Sequence, residues 1–99
     1  MNQQKDVHIN NPNGGVDQDP VHVCAAAQEE LRWYANGDEA AMIVFTGQNL
    51  PFRQRVFLVP ARGSVSTGAP VCAGNSNVQH KYTVIGPKGE TDPVVIIDP

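Results

Sequence analysis

Residues 80–98 read HKYTVIGPKGETDPVVIID. Two apolar runs flank a Gly86-Pro87-Lys88-Gly89 turn. Two short apolar runs bounded by Gly and Pro predict two β-strands, His80–Ile85 and Val94–Asp98, closed as a hairpin. The rest of the chain repeats the same pattern on a smaller scale. Asp6–Asn10 alternates, and Asn11-Pro12-Asn13-Gly14-Gly15 is a dense turn signal. Val21–Cys24 follows Asp19-Pro20 as a second strand. Ala25–Arg32 holds good helix formers but only about two turns of them, without a preceding cap, so it predicts a turn leading into a strand Leu31–Ala35. Ala41–Phe45 is nearly all apolar and predicts a central strand, and Arg55–Val59 predicts another, stopped by Pro60. Residues 61–77 are small and polar, a long loop with a short strand expected at Ala69–Ala73.

Ninety-nine residues make one domain with one modest core. Residues 1–5 are polar and are expected to be frayed and disordered. Eight Pro and nine Gly favour short strands over long helices. The expected class is therefore all-β: an antiparallel Greek-key β-sandwich of about seven strands. The net charge is −3 and the seven basic residues are scattered, so the basic patch that nucleic acid or an anionic membrane surface requires is missing. No apolar run approaches the ~20 residues of a membrane helix. The segment MNQQKDVHINN contains no secretory signal. The expectation is a cytoplasmic protein, or a periplasmic or secreted one if a signal has been removed.

Taken together, Trp33…Asn36-Gly37-Asp38…Ile43-Val44-Phe45 and the strands His80-Lys81-Tyr82-Thr83-Val84 and Val94-Val95-Ile96-Ile97 resemble the cupredoxins, the fold family of the small blue copper proteins. The resemblance touches most of the chain at the level of pattern. It implies a sandwich with a copper end, where two imidazoles, a thiolate and a weak axial ligand would meet. The four positions fall on Ala41, Val84, Pro87 and Asp92, none of which is a soft ligand, and residues 81–99 contain no Cys, His or Met. The resemblance therefore extends to the fold and not to the type-1 copper site, and no cofactor is expected.

An atypical copper site is the alternative. Its candidates are His22, Cys24, Cys72 and His80, with His8 the remaining imidazole. His22 and Cys24 share one face of a strand, but a lone His-x-Cys pair is more often a half-exposed His beside a small core residue. His80 alternates with Tyr82 and Val84 and is expected to face inward. In a cupredoxin-like arrangement, Cys24 and Cys72 both fall at the end opposite the copper end. A disulfide between them would contribute about 4 kcal/mol; two buried thiols are the other outcome, decided by the compartment.

No catalytic motif is present. Ser64, Ser66 and Thr67 lack a nucleophile-elbow context, and Gly86-Pro87-Lys88-Gly89 is not a phosphate loop because it leads into a strand. A non-enzymatic binding module is the leading expectation, with the loops Asn36–Ala40, Gln48–Arg53 and Gly86–Thr91 as contact surface and Phe52 and Lys88 as its contact residues. For Phe52, next to Pro51, tucking back into the core competes with exposure.

Overall fold

The computed structural model describes residues 4–10, 14–71 and 78–98. Among these there is no helix. The strands are β1 (Gln4–Asn10), β2 (Gly15–Val16), β3 (Val21–Cys24), β4 (Glu30–Ala35), β5 (Ala41–Phe45), β6 (Val56–Val59), β7 (Ser64–Ser66), β8 (Val78–Gly86), β9 (Gly89–Thr91) and β10 (Val94–Asp98). They form two sheets. One has the order β2-β1-β4-β7; the other runs β3-β10-β8-β5-β6, with β9 paired to the far half of β8.

Among the described residues there are ten strands where about seven are expected. The additional ones, β2, β7 and β9, are two or three residues long, too short for alternation to mark them in the sequence. The expected strand at Ala69–Ala73 does not form over 69–71, and 72–73 lie outside the described residues. Gln4 and Lys5, expected to fray, pair with Glu30 and Leu31. The sheets are also mixed and not antiparallel. β1 runs parallel to β4, from Gln4↔Glu30 to Ile9↔Ala35, and β3 runs parallel to β10, from Val95↔Val21 to Asp98↔Cys24. Parallel neighbours need a crossover in place of a hairpin. Here β3 supplies it: the chain leaves the first sheet after β2, adds β3 to the second, and returns as β4.

The inward faces of both sheets meet in one core. Val7, Ile9, Leu31 and Trp33 come from the first; Val23, Ile43, Phe45, Phe57, Tyr82, Val84 and Ile97 come from the second. Trp33 sits at the centre, fully buried, with ring centroids of Phe45, Phe57 and Tyr82 at 6.1, 5.3 and 5.5 Å. Its indole Nε1–H donates to the Tyr82 hydroxyl at 3.4 Å, so the buried donor keeps a partner. Burial pushes the Tyr82 phenol up to about 12, despite the opposing effect of that bond. The Ala25–Gln28 stretch is a turn, with Gln28 at φ 52°. It is closed by Glu29, a buried carboxylate whose Oε1 accepts from the Cys24 N–H at 2.8 Å.

Candidate functional site

The register sorts the loops to two ends of the molecule. β5 and β8 are antiparallel, with Met42 opposite Ile85 and Phe45 opposite Tyr82. The loop that precedes β5 (36–40) therefore lies beside the β8–β9 turn, and the loop that follows β5 (46–55) lies beside the start of β8. The expected three-loop surface is thus divided. Asn36–Ala40 and Gly86–Thr91 share one end; Gln48–Arg53 belongs to the other. Of the two expected contact residues, Phe52 takes the tucked-back outcome: it is only 1% exposed and packs on Phe45 at 5.9 Å, as part of the core. Lys88 remains exposed in the β8–β9 turn.

The first end carries Ala41, Val84, Pro87 and Asp92, the four positions to which the sequence resemblance assigns copper ligands. Ala41 and Val84 are buried, Ala41 leading into the pair Met42↔Ile85 and Val84 facing Ile43. Pro87 is exposed in the turn, and the Asp92 carboxylate accepts from the Thr83 hydroxyl at 2.9 Å. Gly14 seals this end. Its φ of +77° belongs to the left-handed region, and a Cβ there would lie 2.7 Å from the Val84 carbonyl oxygen. Its own carbonyl accepts from the Thr91 hydroxyl at 2.7 Å. Around the seal lie polar groups. His8 stacks on Tyr34 at 4.8 Å with planes 15° apart, and its Nδ1 lies 3.2 Å from Asn36 Oδ1. Asp38 pairs with Arg62, and Lys88 and Glu90 stand exposed. The His8–Tyr34–Asn36 grouping went unread in the sequence because it depends on the parallel pairing His8↔Tyr34. The alternation of Asp6–Asn10 was the available signal, but it does not encode strand direction.

Of the proposed atypical ligands, the three among the described residues, His22, Cys24 and His80, are not brought together. His22 and Cys24 lie on the outward face of β3, as their spacing requires, whereas His80 pairs with buried Val95 and faces the core side of β8. Cys24 is half-buried on that outward face and is not a core residue. The His22 Nδ1 lies 3.0 Å from Asp98 Oδ2, a carboxylate already at hand. Cys72, and with it the Cys24–Cys72 pairing, lies outside the described residues. Among the described residues, no group of three or more His, Cys, Asp or Glu side chains could hold a metal ion. The hydroxyls of β7 and of Thr67 after it hold structure: Ser64 Oγ accepts from Arg32 at 2.8 Å, Ser66 Oγ donates to Glu30 at 2.5 Å, and Thr67 Oγ1 accepts from the Leu31 N–H at 3.1 Å.

At the second end a cavity of about 260 Å³ is lined by Phe45, Gly47, Asn49, Gln79 and His80 among others. Arg55 fastens the loop above it, donating through Nη1 to the carbonyls of Phe45 at 2.7 Å and Gly47 at 2.9 Å. The His80 ring bonds the Asn49 backbone, and among the described residues its buried Nε2 has no partner. Burial lowers its pKa, outweighing that backbone bond. The unfolded chain then binds a proton more readily than the folded one. Stability contributed by neutral His80 is present above the ordinary His value of 6.5 and is lost as pH falls below it. Urea midpoints measured from pH 7.5 to 5 are expected to fall, with a shallower fall in His80→Leu; equal slopes would remove this role.

No helix among the described residues is long and apolar enough to cross a membrane. No protein-family model matches the chain, and neither a curated protein nor a solved structure does.

Proposed function

We propose that the chain is a cupredoxin-like Greek-key sandwich without a type-1 copper site, acting as a non-enzymatic binding module. The observation that carries this reading is the set Ala41, Val84, Pro87 and Asp92 at the positions where the family would place its copper ligands. Two buried apolar side chains, a proline and a carboxylate supply no thiolate and no imidazole. The sandwich is supported by two sheets sharing one core and by strands that cross between sheets in place of forming hairpins. The loops then offer contacts on a rigid frame, with Asn36, Lys88 and Glu90 among the exposed polar groups of the first end.

The second reading, an atypical copper or electron-transfer protein, is separated by adding one equivalent of copper to the reduced chain. The binding-module reading expects no copper retained through gel filtration and no intense thiolate-to-copper band in the visible. Retained copper with such a band would replace it. For the contact surface, Lys88→Glu combined with Asn36→Ala is expected to release a partner that wild type holds. Unchanged binding would remove this end from consideration.

A further inference from the structure

Strand β6 (Val56–Val59) ends the six-stranded sheet and, among the described residues, pairs only with β5. The Phe45 N–H donates to the Arg55 carbonyl at 2.9 Å, which sets the alternation along the strand. Phe57 and Val59 turn their backbone groups toward β5; Val56 and Leu58 turn theirs away from the sheet. Among the described residues no hydrogen bond reaches the latter. Edge strands are normally guarded by a charge, a proline or a bulge, yet β6 is wholly apolar. The side chains of Val56 and Leu58 are also its exposed ones. Leu58, Met42 and Ile85 stand in one row across three strands, and Val56 and Val44 in the next. Four of the five large hydrophobic side chains exposed among the described residues belong to these rows, with Leu58 63% exposed. Such clustering marks a contact surface, unlike apolar residues exposed singly.

The two ends of the strand differ in charge. At its start lie Arg53 and Arg55, and residues 40–59 contain no carboxylate. At its other end stand Arg62, ion-paired to Asp38, and exposed Glu39, beside Lys88 and Glu90 of the β8–β9 turn; carboxylates outnumber cations there. A second copy laid antiparallel along β6 brings each cationic end against the acidic end of the other, whereas a parallel copy joins like ends. With the two-fold axis at Phe57, Val56 faces Leu58 of the second copy, and the backbone groups that β5 leaves over find partners on both strands. The same register continues the apolar rows: Ile85, Met42 and Leu58 run on into Val56 and Val44 of the second copy. The edge is its own complement in register, side chains and charge, as a two-fold interface requires.

We propose that the chain forms a two-fold dimer through β6, joining the six-stranded sheets of two copies into one. The dimer goes beyond the binding-module reading and does not rest on it. The ladder is short and far below the roughly 800 Å² per partner of a standard interface, so the dimer is weak, with Kd between about 10 μM and 1 mM.

The test is sedimentation equilibrium, with amide shifts of ¹⁵N-labelled protein, from about 20 μM to about 2 mM, which brackets that range. The mass is expected to approach that of two chains as concentration rises, with the Val56 and Leu58 amides moving in step. Leu58→Asp is expected to weaken the dimer at least about tenfold. Its position is exposed, so the variant retains the fold, checked by its own amide spectrum. Arg53→Glu is expected to weaken the dimer about threefold, and adding Glu39→Arg to restore it. A chain still monomeric at about 2 mM overturns the proposal and leaves the edge to a strand of another protein. Dimerisation undiminished by Leu58→Asp, or a double variant no tighter than Arg53→Glu alone, overturns it as well.

Discussion

Trp33→Ala is expected to lower unfolding free energy by about 3–5 kcal/mol. The indole touches the rings of Phe45, Phe57 and Tyr82 and bridges the two sheets, since β4 belongs to one and the other three residues to the second. Removing it opens a cavity that neighbouring strands, held by their ladders, can close only in part. It also strips the Tyr82 hydroxyl of the indole donor. Against a total of about 5–15 kcal/mol for a small domain, this is a large fraction. Urea unfolding followed by far-ultraviolet circular dichroism measures it. A loss under about 1 kcal/mol would mean that Trp33 does not occupy the junction of the sheets. Trp33→Phe, which retains a ring, is expected to recover more than half of the loss.

Phe52→Ala is expected to cost about 3 kcal/mol, because a loop phenyl ring fully enclosed against Phe45 behaves as a core residue. The same substitution separates two roles for the loop. As a surface contact, Phe52 would leave stability unchanged and weaken binding. As a core anchor, it lowers the urea midpoint, and any loss of binding follows the folded fraction alone. Arg53→Ala, one residue away and exposed, is the matched control and should leave the midpoint within about 0.5 kcal/mol of wild type. An unchanged midpoint in Phe52→Ala would place the ring outside the core.

The residues that were legible in the sequence are those whose burial alternates over four or more positions. Val21–Cys24, Ala41–Phe45 and Val94–Asp98 form strands with the expected bounds, and Leu31–Ala35, Arg55–Val59 and His80–Ile85 shift by one or two residues at their ends. Strand direction was not legible. Alternation reports which side of a strand is buried and is the same for parallel and antiparallel partners, so β1–β4 and β3–β10 could not be read. The division of the loops follows from the same gap. Which end Gln48–Arg53 occupies depends on the antiparallel register of β5 with β8, whereas motif order along the chain carries no such information. His80 was legible as inward-facing because it shares parity with Tyr82 and Val84. Its bond to Asn49 was not, because 31 positions of chain separate the two.

The frame from which every site assignment follows is the pair of mixed sheets. Interstrand nuclear Overhauser contacts test it most directly. Contacts between β1 and β4 in parallel register, with Val7 beside Trp33 and Ile9 beside Ala35, are predicted, together with Val95 beside Val21 across β10 and β3. Contacts running in the antiparallel sense between β1 and β4, or a hairpin-linked meander that pairs β1 with β3, would contradict the fold and, with it, the placement of both ends.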